Sequence, residues 1–464
     1  MNLTVFRPNY RSLVVGADTK IPIQGGKEVK AINFDNAAST PPFRSVLNAV
    51  VNYAPWYSSI HRGKGYKSHL SSDFYDHSRE IVAEFVGASL DEKSVIYVKN
   101  TTEAINKLSY RLFDDMKNAV VLSTVMEHHS NDLPWRNKYK LDYIDIDSAG
   151  RLSLDDLEYK LKKYKGKVKL VAVTGASNVT GYINDIYTIA VLAHQYGAKI
   201  LVDGAQLVPH SLLKVGTADS LEHIDYLTFS AHKMYAPFGI GVLIGPKETF
   251  SKGEPEYMGG GTIKMVTHDY ISWADAPERD EAGTPNVLGV AALVEGINVL
   301  KKIGMENIER YERSLSEYAL RKLKKIKDLH IYGSTVNCKD RVSLLTFNIK
   351  DLEHALVAEI LSQQAGIAVR NGCFCANPYV QRLLEVSQED IAKYMQNPSL
   401  PHPGMVRISF GLYNTYDEID KLSEILAAIA ENKKYFFNKF QNTAPLVPID
   451  LKNSFNNYGY SGSL

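Results

Sequence analysis

Seven short apolar runs separated by amphipathic segments constrain this chain more than any other feature of its sequence. They lie at 95–99, 119–124, 141–146, 168–175, 198–202, 226–230 and 239–244. Runs of this length, rich in Val, Ile and Leu, read as strands buried on both faces. Between them, the stretch 185–196 places Ile186, Ile189, Ala190 and Ala193 on one helical face. Strand–helix alternation sustained this long predicts an α/β fold, with a large, mostly parallel seven-stranded sheet covered by helices on both sides. Gly239-Ile240-Gly241 opens the last run, and its glycines predict a strand pressed close to another backbone.

The pattern changes after residue 285. Helices at 287–300 and 307–325 precede strands at 342–348 and 406–410, which flank a helix at 352–364; this is the layout of a smaller α+β domain. The 464 residues therefore divide into an N-terminal arm (1–30), a large domain (31–285), a small C-terminal domain (286–431) with an insertion at 378–404, and a loosely ordered tail (432–464). Lys and Arg number 53 against 52 Asp and Glu, a net charge of +1, so no strong field favours nucleic acid or an acidic membrane. No apolar run is long enough to span a bilayer, and residues 1–30 hold no signal-type apolar core. Three cysteines (338, 373, 375) are too few for a disulfide framework. A reducing, cytoplasmic setting is expected.

Polar groups gather where strands end, which is where open α/β sheets bind ligands. The fifth run ends in Asp203-Gly204-Ala205-Gln206 and the sixth in Ser230-Ala231-His232-Lys233, with a helical segment expected at 207–213 between them. A carboxylate and a lysine at neighbouring strand ends are the pair that pyridoxal phosphate requires. The amine condenses with the aldehyde, and the carboxylate keeps the ring nitrogen protonated so that the ring withdraws electrons. Asn100-Thr101-Thr102-Glu103 follows the first run with capping-box spacing, and its N–H groups and hydroxyls suit a phosphate at a positive helix end. Glu127-His128-His129 and Ser177-Asn178 follow two further runs. An imidazole there can lie over a flat ring or move protons. Taken singly, each has a plainer reading: a solvated lysine, an ordinary cap, exposed loop histidines, a turn asparagine.

Together these pieces resemble the class V aminotransferase family of fold-type I pyridoxal-phosphate enzymes, and within it the second group of cysteine desulfurases. The resemblance runs from Phe34-Asp35-Asn36-Ala37-Ala38 through His61-Arg62-Gly63, Asn100-Thr101-Thr102-Glu103, Met126-Glu127-His128-His129-Ser130, Val202-Asp203-Gly204-Ala205-Gln206, Ser230-Ala231-His232-Lys233 and Glu281-Ala282-Gly283-Thr284-Pro285-Asn286 to Arg407-Ile408-Ser409. It implies that Lys233 carries the cofactor, Asp203 pairs with its ring nitrogen and His128 stacks on the ring. Asn178 and Gln206 would contact the ring hydroxyl side, and Thr101, Thr102, Ser230 and His232 would hold the phosphate. Thr284 would reach a neighbouring subunit's phosphate, which implies a homodimer. Arg407 would clamp the substrate α-carboxylate, a bidentate task suited to guanidinium, with Ala37, His61 and Arg370 also at the substrate.

Reaction type rests on Arg370-Asn371-Gly372-Cys373-Phe374-Cys375-Ala376. The resemblance implies that Cys375, in an R-x-G-x-x-C-A pattern, accepts sulfur from L-cysteine as a persulfide, leaves L-alanine, and passes the sulfur to an acceptor, for example a protein. For a generic cysteine, burial as an apolar filler is the commoner state. Cys373 is expected to face away from Cys375 and to be secondary. A lone C-x-C is a weak metal signal, and no metal site is expected. Two features depart from the second group: Cys373-Phe374 replaces two bulky residues, and the 378–404 stretch is longer, which together with Gln381-Arg382 resembles the molybdenum-cofactor sulfurases. Alternatives are therefore a selenocysteine lyase, a sulfurtransferase of that second kind, or a class V aminotransferase, epimerase or C–S lyase in which Cys375 is incidental. A sulfur-carrier partner without turnover is a non-enzyme alternative.

Overall fold

The computed structural model describes residues 9–397 and 399–440. Its centre is a seven-stranded sheet in the order Lys93–Val98, Gly241–Pro246, Tyr226–Ser230, Lys199–Asp203, Val168–Thr174, Val120–Thr124, Lys140–Ile144. All seven expected strands are present. Gly241–Pro246 runs antiparallel to both neighbours, and the rest of the sheet is parallel. Every residue of Lys93–Val98, Val120–Thr124 and Tyr226–Ser230 is buried, as expected of strands covered on both faces. Burial of each large aliphatic side chain there contributes about 1.5–3 kcal/mol. A Cβ on Gly241 would lie 2.7 Å from the Cα of Asn100, so the close approach read from the sequence is real. It seats the start of the helix Thr101–Arg111 directly against the sheet.

The small domain carries an antiparallel sheet, Leu329–Tyr332, Leu344–Ile349, Met405–Ser409, Arg370–Gly372, backed by the helices Met305–Leu323, His354–Ala365 and Tyr416–Glu431. The long helix Val287–Ile303 joins it to the large domain. Among the described residues no helix is long and apolar enough to cross a membrane.

Three expectations need correction. The 207–213 segment is a run of turns, not a helix, because Pro209 supplies no N–H and biases Val208 away from helical angles. The boundary at residue 31 assigns 32–36 to the large domain, yet Ile32–Asn33 pairs with Ile367–Ala368 and Asp35 bridges to Ser409, so this stretch is stitched to the small domain. The start of the tail is ordered. Lys433–Phe440 is a helix with Phe440 buried and Lys433 paired with Asp328 at 2.7 Å; residues 441–464 lie outside the described residues. Within the 378–404 insertion, Asn377–Leu383 and Gln388–Gln396 are short helices, and the buried Tyr379 anchors the first by donating to Gly150 O at 2.5 Å.

Candidate active site

Strand ends build the floor of a cavity of about 220 Å³. Asp203 closes one strand, and its Oδ1 accepts from the backbone N–H of Ala205 at 3.0 Å. Ser230 closes the next, and a single 3-10 turn, Ala231–Lys233, lifts the lysine over the sheet edge. Burial pushes the Lys233 ammonium down to about 8, opposed chiefly by the nearby Asp203 carboxylate, so the neutral amine is accessible near neutrality. Burial likewise raises the Asp203 carboxyl, and Lys233 and the Ala205 N–H pull it back.

One wall is the N-terminus of Thr101–Arg111. Asn100 caps it by accepting from Glu103 N at 3.0 Å, Thr101 Oγ1 lies 2.9 Å from Ser230 Oγ, and Thr102 Oγ1 lies 2.7 Å from Ser130 Oγ. His128 Nδ1 accepts from Ser130 N at 3.1 Å, which orients the ring. Burial holds His128 down to about 3, helped by Lys233, and holds His232 down to about 4 for the same two reasons. Both rings are thus neutral at physiological pH.

The opposite wall comes from the small domain. Arg407 is buried; its Nη1 donates to Asn178 O at 2.9 Å, its Nη2 donates to Asp35 Oδ1 at 3.1 Å, and its guanidinium lies 4.9 Å from the Phe374 ring centroid. Burial lowers its pKa, with Asp35 opposing. Arg370 is its cross-strand neighbour and shares Asp35 at 3.7 Å. Cys375 is exposed at the cavity and Cys373 half-buried, its thiol donating to Pro403 O at 3.1 Å. An extended segment would have put these two thiols on one side. Instead Phe374 and Cys375 both have positive φ, 52° and 55°; Cys375 lines the cavity while Cys373 lies against Pro403, where burial raises its thiol pKa and Cys375 is near enough to add to the rise.

Ala37, Thr101, Thr102, His128, Asn178, Asp203, Gln206, Ser230, His232, Lys233, Arg370, Cys375 and Arg407 therefore all line one cavity. His61 and Thr284 do not. They share a second cavity of about 550 Å³ with Arg62 and Gly261, and Thr284 is exposed there. Asn178 is more committed than the sequence suggested, since its Nδ2 donates to Phe374 O at 2.6 Å and so holds the cysteine turn. Sequence reasoning assigned no role to Asp35, Glu127 or His129. Asp35 sits in the quoted Phe34-Asp35-Asn36 landmark but meets the two arginines only through the fold. Glu127 is buried and pushed up to about 8 by that burial, despite hydrogen bonds from Thr124, Thr174 and Asn131. His129 N donates to Cys375 O at 2.7 Å, and its Nε2 accepts from Asn377 N at 3.3 Å.

Two buried polar atoms test whether pyridoxal phosphate fits. Gln206 Oε1 has no partner, although Gln206 Nε2 donates to Ala37 O at 2.7 Å, and Arg407 Nε is also unpaired. Both belong to residues lining the cavity, one beside the expected ring and one at the expected substrate carboxylate. With hydroxyls at a positive helix end, a lysine and a buried carboxylate, the donor set fits this cofactor.

Fold and site together define a pyridoxal-phosphate-type α/β enzyme architecture. The aminotransferase class-V family profile matches residues 32–422, and the chain belongs to that family. Among curated relatives, a probable cysteine desulfurase of Halalkalibacterium halodurans is 35% identical over 88% of this chain and 95% of its own length. A cysteine desulfurase of Haloferax volcanii is 33% identical over 90% and 94%. Among solved structures, the apo cysteine desulfurase of Thermococcus onnurineus superposes with a TM-score of 0.77 at 33% identity, covering 86% of this chain and 95% of that one. The Escherichia coli cysteine desulfurase in its S-sulfonic acid form gives 0.74 at 28%, with the same coverage.

Proposed function

We propose that this chain is a pyridoxal-phosphate-dependent cysteine desulfurase that converts L-cysteine to L-alanine and holds the sulfur as a persulfide on Cys375. One observation carries the reading: an exposed thiol stands on the wall of the same cavity that holds Lys233 and Asp203. Bound there, pyridoxal phosphate supplies an aldehyde for amines and a ring that withdraws electrons. Thr101, Thr102, Ser230 and His232 would hold its phosphate, Asp203 would pair with the ring nitrogen, neutral His128 would stack on the ring, and Gln206 would serve the ring hydroxyl side. Arg407 holds the substrate carboxylate through N–H groups not used by Asn178 O and Asp35, its unpaired Nε–H among them. The Lys233 amine moves the substrate's α-proton. Cys375, as thiolate, attacks the cysteine sulfur; a S–S bond forms, the substrate C–S bond breaks, and the departing carbon takes a proton. Atoms balance as cysteine plus thiol to alanine plus persulfide, with no external oxidant.

The dimer belongs to the same proposal. Met265, Val266, Tyr270 and Ile271 are exposed on the hairpin Ile263–Val266/Ile271–Trp273 beside the Thr284 cavity. A second copy covering this face would bring Thr284 to its partner's phosphate; a fully active monomer in sedimentation at assay concentration would refute it. Sulfur leaves Cys375 for an acceptor, a protein acceptor being the natural partner for an exposed persulfide.

The test is to incubate the purified yellow protein with L-cysteine, map added sulfur by mass spectrometry, and fix the cofactor with borohydride. Added sulfur on the Cys375 peptide and label on Lys233 support the reading. Normal desulfuration by Cys375→Ser transfers the protein to the lyase or aminotransferase class.

A further inference from the structure

Glu127 is a buried carboxyl group that no step above uses, and it stands behind two residues that the mechanism needs. It follows the strand Val120–Thr124 and precedes the 3-10 turn His129–Asn131, which His128 caps. That short turn serves both walls of the cavity. His128 leads into it and lines the cavity, and His129 N donates to Cys375 O at 2.7 Å. Asn131 N donates back to His128 O at 2.8 Å and closes the turn.

Glu127 ties the turn to the sheet. Its Oε2 accepts from Asn131 Nδ2 at 2.7 Å, and its Oε1 accepts from Thr174 N at 2.8 Å and from Thr124 Oγ1 at 2.6 Å. Thr174 lines the cavity and pairs across the sheet with Asp203. Donor chemistry makes the arrangement informative. Trp135 Nε1 only donates, and it gives to Asn131 Oδ1 at 3.2 Å, so Asn131 must turn its NH2 towards Glu127. Thr174 N also only donates. Each Glu127 oxygen therefore faces a donor that cannot reverse. A carboxylate satisfies both. So does the neutral acid, whose Oε1–H can donate to Thr124 Oγ1 while the same oxygen accepts from Thr174 N. An amide cannot, because its NH2 has to point at one of these donors. Asn131 and Trp135 are fully buried, so a bond lost here stays unmade.

We propose that Glu127 is a positioning residue that acts through the 128–131 turn, setting both the imidazole of His128 over the cofactor ring and the place of Cys375 on the facing wall. One side chain joins the ends of two sheet strands to a turn whose cap carries the imidazole and whose first residue holds the cysteine carbonyl. Close-packed groups held this way pass a displacement on to what they hold. This role rests on the reading of His128 and Cys375 given above. Sequence spacing hid it, because Thr174 is 47 positions from Glu127 and belongs to another strand.

Three measurements test it. Alkylation of Cys375 by iodoacetamide is timed by mass spectrometry in the cofactor-free protein, visible circular dichroism of the loaded protein reports how the ring is seated, and persulfide formation from L-cysteine is read as kcat and KM. Glu127→Gln should change the alkylation rate at least about threefold, weaken the dichroism at equal cofactor content, and lower kcat about tenfold with KM within about twofold. Glu127→Asp, one methylene shorter, is a second variant that should move the same readouts should the first fail to fold. Combining Glu127→Gln with Asn131→Asp exchanges the two roles and remakes every bond: the new amide donates to the new carboxylate, which still accepts from Trp135, and the amide oxygen accepts from Thr174 N. All three readouts should return to within about twofold of the wild-type protein. A merely structural role would lower the unfolding midpoint and leave alkylation and dichroism of the folded variants unchanged. That result, or no recovery in the exchanged pair, overturns the proposal. Wild-type protein that takes no sulfur from L-cysteine would remove the desulfurase reading alone, since the alkylation rates would still decide this one.

Discussion

Asp203 and Lys233 stand at the ends of strands whose hydrophobic residues are all buried, whereas Cys375 stands on a turn that the chain adopts against its own preference. Phe374 and Cys375 both occupy the left-handed region, at about 1–2 kcal/mol each for residues with a Cβ. That turn persists because other elements grip it: His129 N takes the Cys375 carbonyl, Asn178 Nδ2 takes the Phe374 carbonyl, and Asn377 N bonds back to His129 Nε2. The floor is a product of sheet packing and resists change residue by residue. The wall is a product of a few hydrogen bonds between two domains. On the proposed reading the cofactor chemistry belongs to the first and the choice of reaction to the second, so the two should fail separately.

The largest effect should come from breaking the floor. On the proposed reading, in which Lys233 anchors the cofactor and carries the proton, Lys233→Ala should reduce cysteine desulfuration by about a thousandfold or more, with the thermal unfolding midpoint little changed. Next comes the wall: Cys375→Ser should cut desulfuration by about a hundredfold or more and abolish the persulfide while the visible cofactor absorbance stays. A floor variant that keeps turnover, or a wall variant that loses the cofactor colour, would dissolve the distinction.

A pH profile sharpens it. Because burial pushes the Lys233 amine down to about 8, the neutral fraction grows about tenfold per pH unit below that value and then levels off. Loading of cofactor-free protein, followed by its visible absorbance, should rise with pH and plateau above about 8. Asp203 stabilises the ammonium, so Asp203→Asn should move the midpoint lower, whereas Cys373→Ser should leave it in place. The smallest effect is expected of His129→Ala, which removes the Asn377 contact from the turn. One hydrogen bond of about 0.5–1.5 kcal/mol corresponds to a loss of about twofold to thirteenfold in persulfide formation, with the cofactor spectrum unchanged.

Seven strands, their approximate ends and the polar groups beyond them were legible from the sequence, because strand burial leaves a local apolar signature and strand ends are where polar residues resume. Gly241 was legible for a similar reason: a missing Cβ reports close approach directly. What the tertiary structure alone decided involves residues far apart in the chain. Asp35 bridges Arg370 and Arg407 only because Asp35 is stitched into the small-domain sheet. Asn178 holds Phe374 across 196 positions. The cysteine segment turns left-handed where an extended one would have put both thiols on one side, and His194, His223 and Asp225 meet because a helix end and a strand start lie at the same end of the sheet. Periodicity encodes which face of an element is buried. It carries no record of which distant element that face meets, and the hydrogen bonds that shape the cysteine wall exist only at those meetings.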